Sequence, residues 1–217
     1  MCISKKILKT LLVTFLSISF ANAEGSEKFV PIMPGVKSID ITLNGQSFTI
    51  QRNQDIKNKI SDLYNITARG VPQPMVVAKG VETIGELEFL DYMKKAQTDS
   101  SIAIIDTRTP GWFARLRIPG ALNVPYTNFN NRDDAIDVME DYMGVFIKDD
   151  DSLDFSKAKT LVLYCNGYWC GQTPAMIKNA KQSLLTLGYP ASKIKYYRGG
   201  MQAWTSLGYT VAGSAAK

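Results

Sequence analysis

Two cysteines, Cys165 and Cys170, share one short stretch of this chain, Cys165-Asn-Gly-Tyr-Trp-Cys-Gly-Gln-Thr173. Cys165 closes an apolar, strand-like run, Thr160-Leu-Val-Leu-Tyr164. At the far end of the stretch, Thr173-Pro174 reads as an N-cap followed by a first helical residue, a place that needs no N–H donor. A thiol between a strand end and a helix start faces backbone N–H groups and the positive end of a helix dipole. Both favour a thiolate, or another bound anion, over the neutral thiol. A cysteine after an apolar strand is also a common inert core residue. The carboxyl end of a parallel strand, however, is where open α/β folds place their sites.

The rest of the composition narrows the chemistry. The chain has no histidine and three cysteines, one of them Cys2 near the N-terminus. The commonest general base and the commonest metal ligand are therefore missing. Cys165 and Cys170 alone assemble neither a zinc site nor a Cys–His protease pair, so no metal and no cofactor is expected. Asp149-Asp-Asp151 lacks calcium-loop spacing and reads as a solvated surface. Five residues apart, the two thiols could close a small structural disulfide or act as a redox-active pair. So short a ring constrains little of the unfolded chain, which favours the second reading while leaving the first open.

Residues 1–23 read as a secretory signal: Lys5, Lys6 and Lys9, an apolar stretch from Thr10 to Phe20 too short to span a bilayer comfortably, and Ala21-Asn-Ala23 as a cleavage site. Cys2 would leave with it. A periplasmic or secreted protein with no membrane attachment after cleavage is expected. Loss of three lysines lowers the net charge from +5 to +2, too little to suggest a nucleic-acid partner.

The elements that must position Cys165 follow from the pattern. Residues 24–80 form an N-terminal extension. Ile39–Leu43 and Ser47–Ile50 alternate around Asn44-Gly45 and predict a hairpin. Gln54–Tyr64 suggests a short helix, and Arg69–Gly80, with Pro72 and Pro74, a linker or an ordered wrap. Residues 81–217 form the main domain. Thr83-Ile-Gly-Glu86 reads as a capping box opening a helix to about Ala96. Ile102–Ile105 is a doubly buried strand, and Ile118–Val124 a turn with a short strand. Residues 126–155 are polar and acidic. The helix after Cys170 carries Ile177, Ala180, Leu184 and Leu187 on one face and stops at Gly188. Lys193–Tyr197 is a last strand and Met201–Leu207 a last helix, with Trp204 inward. Strands alternating with helices predict an α/β fold with a parallel sheet covered on both faces.

Five segments, in order over roughly residues 80–212, resemble the rhodanese-like domain: Ile104-Ile-Asp-Thr-Arg108 with Trp112-Phe113, Arg117-Ile-Pro-Gly-Ala121, Leu163-Tyr-Cys-Asn-Gly167, Leu187-Gly-Tyr189, and Tyr197-Arg-Gly-Gly-Met-Gln-Ala-Trp204. The loop is similar to the Cys-Asn-Gly-x-x-Cys-Gly-Gln type of exported members of that family. The resemblance implies a three-layer fold and a sulfurtransferase in which Cys165 takes up and passes on a sulfane sulfur as a persulfide. A small sulfur-containing donor and a thiol or protein acceptor would be its partners. The same resemblance makes Asn166, Gly167, Tyr168, Trp169, Gly171, Gln172 and Thr173 the substrate-binding loop. Asp106 and Arg108 match the family's Asp-x-Arg pattern, with Arg108 pairing to acidic groups and supporting the loop.

The loop departs from the family in carrying no arginine or lysine. Gly171 stands where Cys-x5-Arg phosphatases keep their arginine, so a dianion such as thiosulfate would lose a charge-assisted contact worth about 1.5–3 kcal/mol. Cys170 could instead resolve a persulfide on Cys165 to a disulfide. Tyr168 and Trp169 would shield the site, packing against Trp112 or Phe113, or offer a docking surface. Some exported relatives carry a second cysteine pair before the domain, where this chain has Gly70-Val-Pro-Gln-Pro74. The alternative to an enzyme is a non-catalytic binding module with a structural Cys165–Cys170 disulfide and an aromatic docking loop.

Overall fold

A computed structural model describes residues 29–66 and 69–216. The signal-like segment lies outside the described residues. The chain forms β1 (Ser38–Leu43), β2 (Gln46–Gln51), β3 (Glu82–Ile84), α1 (Glu86–Ala96), β4 (Ile102–Asp106), α2 (Pro110–Arg115), β5 (Leu122–Asn123), α3 (Arg132–Met143), β6 (Phe146–Ile147), β7 (Leu153–Asp154) and β8 (Thr160–Tyr164). These are followed by α4 (Gln172–Pro174), continued as a π-helical turn Ala175–Asn179, then β9 (Ile194–Tyr197) and α5 (Gly200–Ser206). Five strands make one sheet in the order β3-β9-β8-β4-β5. Every pairing in it is parallel, with Ile105 opposite Leu163 and Leu163 opposite Tyr196.

Side chains alternate across that sheet and build a core on each face. Tyr164 and Tyr197 point to the layer that holds Phe89, Leu90 and Trp204. Leu161, Leu163 and Tyr196 point to the layer of Met139, Met176, Ile177 and Leu184. This is the rhodanese-like, three-layer arrangement, with Asp106 and Cys165 at the carboxyl ends of adjacent strands.

The hairpin is a β1–β2 antiparallel pair turning at Asn44-Gly45, both with positive φ. It is no separate unit. Ile39, Ile41, Leu43 and Ile50 join the same core as Phe89 and Trp204, because alternation gives the hairpin one apolar face and α1 leaves an apolar face for it. Phe48 closes over Gly120, where a Cβ would stand 2.6 Å from its ring.

Elsewhere the structure corrects the sequence reading. Gln54–Tyr64 holds turns, not a helix: Asn53 accepts from the Asp55 amide and Asp55 from the Lys57 amide, and such side-chain bonds compete with helix formation. Ile56 is 88% exposed, so its apolar spacing serves no core. Thr83 lies in β3 opposite Tyr196, and the cap of α1 shifts to Gly85, whose N–H donates to Glu88 Oε2 at 3.0 Å. The acidic stretch 126–155 contains α3, capped by Asn131, which accepts from the Asp134 amide, and closed by Gly144 in the left-handed region. Ala135, Ile136, Met139 and Met143 are buried beneath its acids. The helix after the loop is capped at Gly171, not Thr173, and ends at Asn179, because Ala180 is extended. Leu184 is buried from the segment beyond it.

Candidate active site

The loop runs from the end of β8 into α4 and rests on a buried arginine. Arg108 is fully buried, as is Asp106. Its guanidinium donates through Nε to Asp106 Oδ1 at 2.9 Å and through one terminal nitrogen to Asp106 Oδ2 at 2.6 Å. That nitrogen also donates to the Leu116 carbonyl at 2.6 Å. The other terminal nitrogen donates to the Tyr64 hydroxyl at 2.5 Å and to Asn166 Oδ1 at 3.2 Å, and Tyr64 in turn donates to Asn166 Oδ1 at 3.1 Å. A buried charge pair is tolerated when its remaining donors and acceptors are met in this way. Burial pushes the Tyr64 hydroxyl up to about 12, against the lowering influence of Arg108.

Backbone bonds fix the loop to its neighbours. The Cys165 carbonyl accepts from the Met201 amide at 3.0 Å and the Asn166 carbonyl from the Gln202 amide at 2.9 Å. Gly200 allows this approach: its φ is +52°, and a Cβ there would stand 2.2 Å from the Cys165 carbonyl oxygen. The Cys170 amide donates back to the Gly167 carbonyl at 2.9 Å, closing the turn. Thr107 ties β4 to the loop, since its amide and hydroxyl both donate to the Tyr164 carbonyl and its hydroxyl meets that of Thr173 at 2.8 Å.

A strap from the N-terminal extension covers the loop. The Gln73 amide donates to the Tyr168 carbonyl at 2.7 Å and Gln73 Nε2 to the Trp169 carbonyl at 3.3 Å. Arg198 Nε, from the turn after β9, holds the strap through the Gln73 carbonyl at 2.8 Å. Tyr168 lies under the Arg198 guanidinium at 5.2 Å and Trp169 under that of Arg69 at 5.6 Å. Trp112 faces Tyr64 and Phe113 lies under the Arg117 guanidinium at 4.8 Å, so the expected packing of the loop aromatics against Trp112 or Phe113 is replaced by two stacked guanidiniums. The loop has no cation of its own, yet Arg69 and Arg198 approach it from above and Arg108 lies below.

Cys165 and Cys170 are not joined to each other in this structure, and the loop is held by the hydrogen bonds described above. Both are buried, and the Cys165 thiol lies 3.5 Å from the Cys170 carbonyl oxygen. Burial pushes the Cys165 thiol well above its ordinary value, with the neighbouring Cys170 adding to the shift; the Thr173 hydroxyl and amide pull the other way. Cys170 is lowered to about 7, first by a hydrogen bond from Cys165 and then, against burial, by the amides of Gln172 and Asn166 and the charge of Arg108. The two thiols titrate as one coupled pair, which loses its first proton near neutrality. Sequence reasoning missed Tyr64, Gln73, Thr107, Tyr196, Arg198 and Gln202 in this neighbourhood. Thr107 stands inside Asp106-Thr-Arg108, and Arg198 and Gln202 inside Tyr197-Arg-Gly-Gly-Met-Gln-Ala-Trp204, so those three had a local signal. Among the described residues no group of acidic, cysteine or histidine side chains is placed to hold a metal ion.

The sequence profile of the rhodanese-like domain matches residues 89–207, more than half of the chain. Solved structures similar to it include the BH2092 protein of Bacillus halodurans, 20% identical over 62% of this chain and 79% of that one, with a TM-score of 0.43. The thiosulfate sulfurtransferase of Pseudomonas aeruginosa is 17% identical over 63% of this chain and 21% of that one, with a TM-score of 0.42. The rhodanese-like domain of the Anabaena sp. Alr3790 protein is 17% identical over 64% and 82%, with a TM-score of 0.39. Comparison with curated proteins returned no match.

Proposed function

This chain belongs to the rhodanese-like domain family, and from that premise we propose that it is a sulfurtransferase carrying sulfane sulfur as a persulfide on Cys165. The observation that carries the reading is the pair of buried, unbridged thiols in the loop at the end of β8, in a chain without histidine; the pair first ionises at about 7. The Cys170 thiolate takes the proton of Cys165. The Cys165 sulfur then attacks the outer sulfur of a persulfide donor, R–S–SH. A Cys165 S–S bond forms, the donor's S–S bond breaks, and R–S⁻ leaves to collect the proton held on Cys170. The sulfur moves without net oxidation. If Cys170 later attacks the inner sulfur of the Cys165 persulfide, hydrosulfide leaves and a Cys165–Cys170 disulfide remains, which a thiol reductant reopens.

Persulfides and polysulfides are the favoured donors. The guanidiniums nearest the loop mouth are engaged with Tyr168, Trp169 and the Gln73 carbonyl, so a dianion such as thiosulfate meets no cation of the loop itself. The signal-like segment at residues 1–23 supports action outside the cytoplasm, and among the described residues no helix is long and apolar enough to cross a membrane. The test is sulfur transfer from polysulfide or thiosulfate to cyanide by reduced protein. Turnover is expected with polysulfide, weakly with thiosulfate, and not at all with Cys165→Ser. Equal efficiency on both donors removes the argument from charge.

A second reading has its own support. Val71, Met75 and Val76 on the strap are more than half exposed, beside a partly exposed Tyr168. Such an apolar rim suits a docked protein, and in a pure binding module the Cys165→Ser protein would bind that partner unchanged.

A further inference from the structure

Among the described residues, three buried side-chain polar atoms lack a hydrogen-bond partner: Gln172 Oε1, Gln202 Oε1 and the Tyr196 hydroxyl. All three lie around one loop. Gln172 belongs to it. Gln202 presses on Gly167 so closely that a Cβ there would stand 2.8 Å from Gln202 Oε1. Tyr196 is fully buried and sits opposite Leu163 in the β8–β9 pairing, two residues before Cys165. It belongs to the same buried layer as Leu163, Met176 and Ile177. Cys165 follows β8 directly, two residues beyond Leu163.

An isolated hydroxyl in an apolar layer is unfavourable, and natural cores rarely keep one without a use. Phenylalanine would fill the same space without the cost. Cys165, Cys170 and Arg198 act on this hydroxyl electrostatically: burial raises its pKa most, the two cysteines raise it further, and Arg198 lowers it. The hydroxyl is therefore a protonated donor within electrostatic reach of both sulfurs. A persulfide on Cys165 places a new anionic outer sulfur in a buried site, where a donor is worth more than in water.

We propose that the Tyr196 hydroxyl donates a hydrogen bond to the outer sulfur carried on Cys165, and so serves as a residue that stabilises the loaded state. This rests on the sulfurtransferase reading given above. No bond is made or broken by Tyr196, which keeps its proton throughout.

The test compares wild-type and Tyr196→Phe protein, each reduced, loaded with polysulfide and desalted. The readouts are the melting temperature, the persulfide on the Cys165 peptide over time, and the pH dependence of its alkylation. Tyr196→Phe is expected to melt at the same or a higher temperature and to accept sulfur. It should then lose that sulfur about tenfold faster or more, with an alkylation midpoint at higher pH, because the anion has lost a donor. A lower melting temperature with unchanged sulfur retention and pH midpoint would show a structural hydroxyl and overturn the inference while leaving the sulfurtransferase reading intact. Wild-type protein that takes up no sulfur would remove both.

Discussion

Beneath the Cys165 loop lies Arg108, fully buried and bonded to Asp106, Leu116, Tyr64 and Asn166. Above it lies a strap held by three hydrogen bonds at Gln73 and flanked by exposed apolar side chains. The floor is made of charges that water cannot reach, so removing one partner strands the other. The roof is made of partly exposed bonds that water can replace. Both thiols are buried, so in the proposed reaction a donor reaches Cys165 only after something moves, and the roof is the part whose bonds water can replace. The floor keeps the loop in shape meanwhile.

The sharpest way to break this comparison is at the floor. Arg108→Ala should cost about 3–5 kcal/mol in urea unfolding, because it leaves Asp106 buried without its countercharge; a loss under about 1 kcal/mol would contradict the floor's role. Gly200→Ala comes next, since it combines a left-handed φ with a clash against the Cys165 carbonyl. A loss of about 1–3 kcal/mol is expected, with a matching fall in melting temperature and slower sulfur loading. Between floor and roof sits the thiol pair. In wild type, thiol alkylation should rise with pH through about 7, where the thiol pair first ionises. In Cys170→Ser that step should vanish and Cys165 should react only at higher pH, since burial raises its pKa. Its rate of sulfur uptake at neutral pH should fall about tenfold or more, the equivalent of about 1.4 kcal/mol. The smallest effect belongs to the roof. Arg198→Leu removes one partly exposed bond, so unfolding should change by about 1 kcal/mol or less while Cys165 alkylation speeds up. Unchanged alkylation would mean that access runs elsewhere than past the strap.

Much of this architecture can be read from residues alone where the signal is local. The doubly apolar β4 and β8, the Asn44-Gly45 turn and the strand–loop–helix change around Cys165 each carry their own pattern. The misreadings have physical causes. The Asn and Asp side chains of 53–57 bond to nearby backbone and undo an apolar spacing that looked helical. In 126–155 the acids on the outer face of α3 conceal Ala135, Ile136, Met139 and Met143 on the inner one. Non-local contributions have no such pattern. Nothing in Gly70-Val-Pro-Gln-Pro74 signals that a glutamine will bridge to Tyr168 and Trp169, and nothing around Tyr64 signals that it will meet Arg108 44 residues on. The protonation of the thiol pair is equally hidden, because it depends on burial and on which amides reach which sulfur.

The central claim is that Cys165 holds the sulfur. Peptide mass spectrometry on reduced protein treated with polysulfide, alkylated and digested tests it most directly, using wild type, Cys165→Ser and Cys170→Ser. The Cys165 position should gain one sulfur in wild type and in Cys170→Ser, where it should persist longer because no second thiol attacks it, and Cys165→Ser should gain none. A persulfide found on Cys170 alone, or retained in Cys165→Ser, would contradict the account.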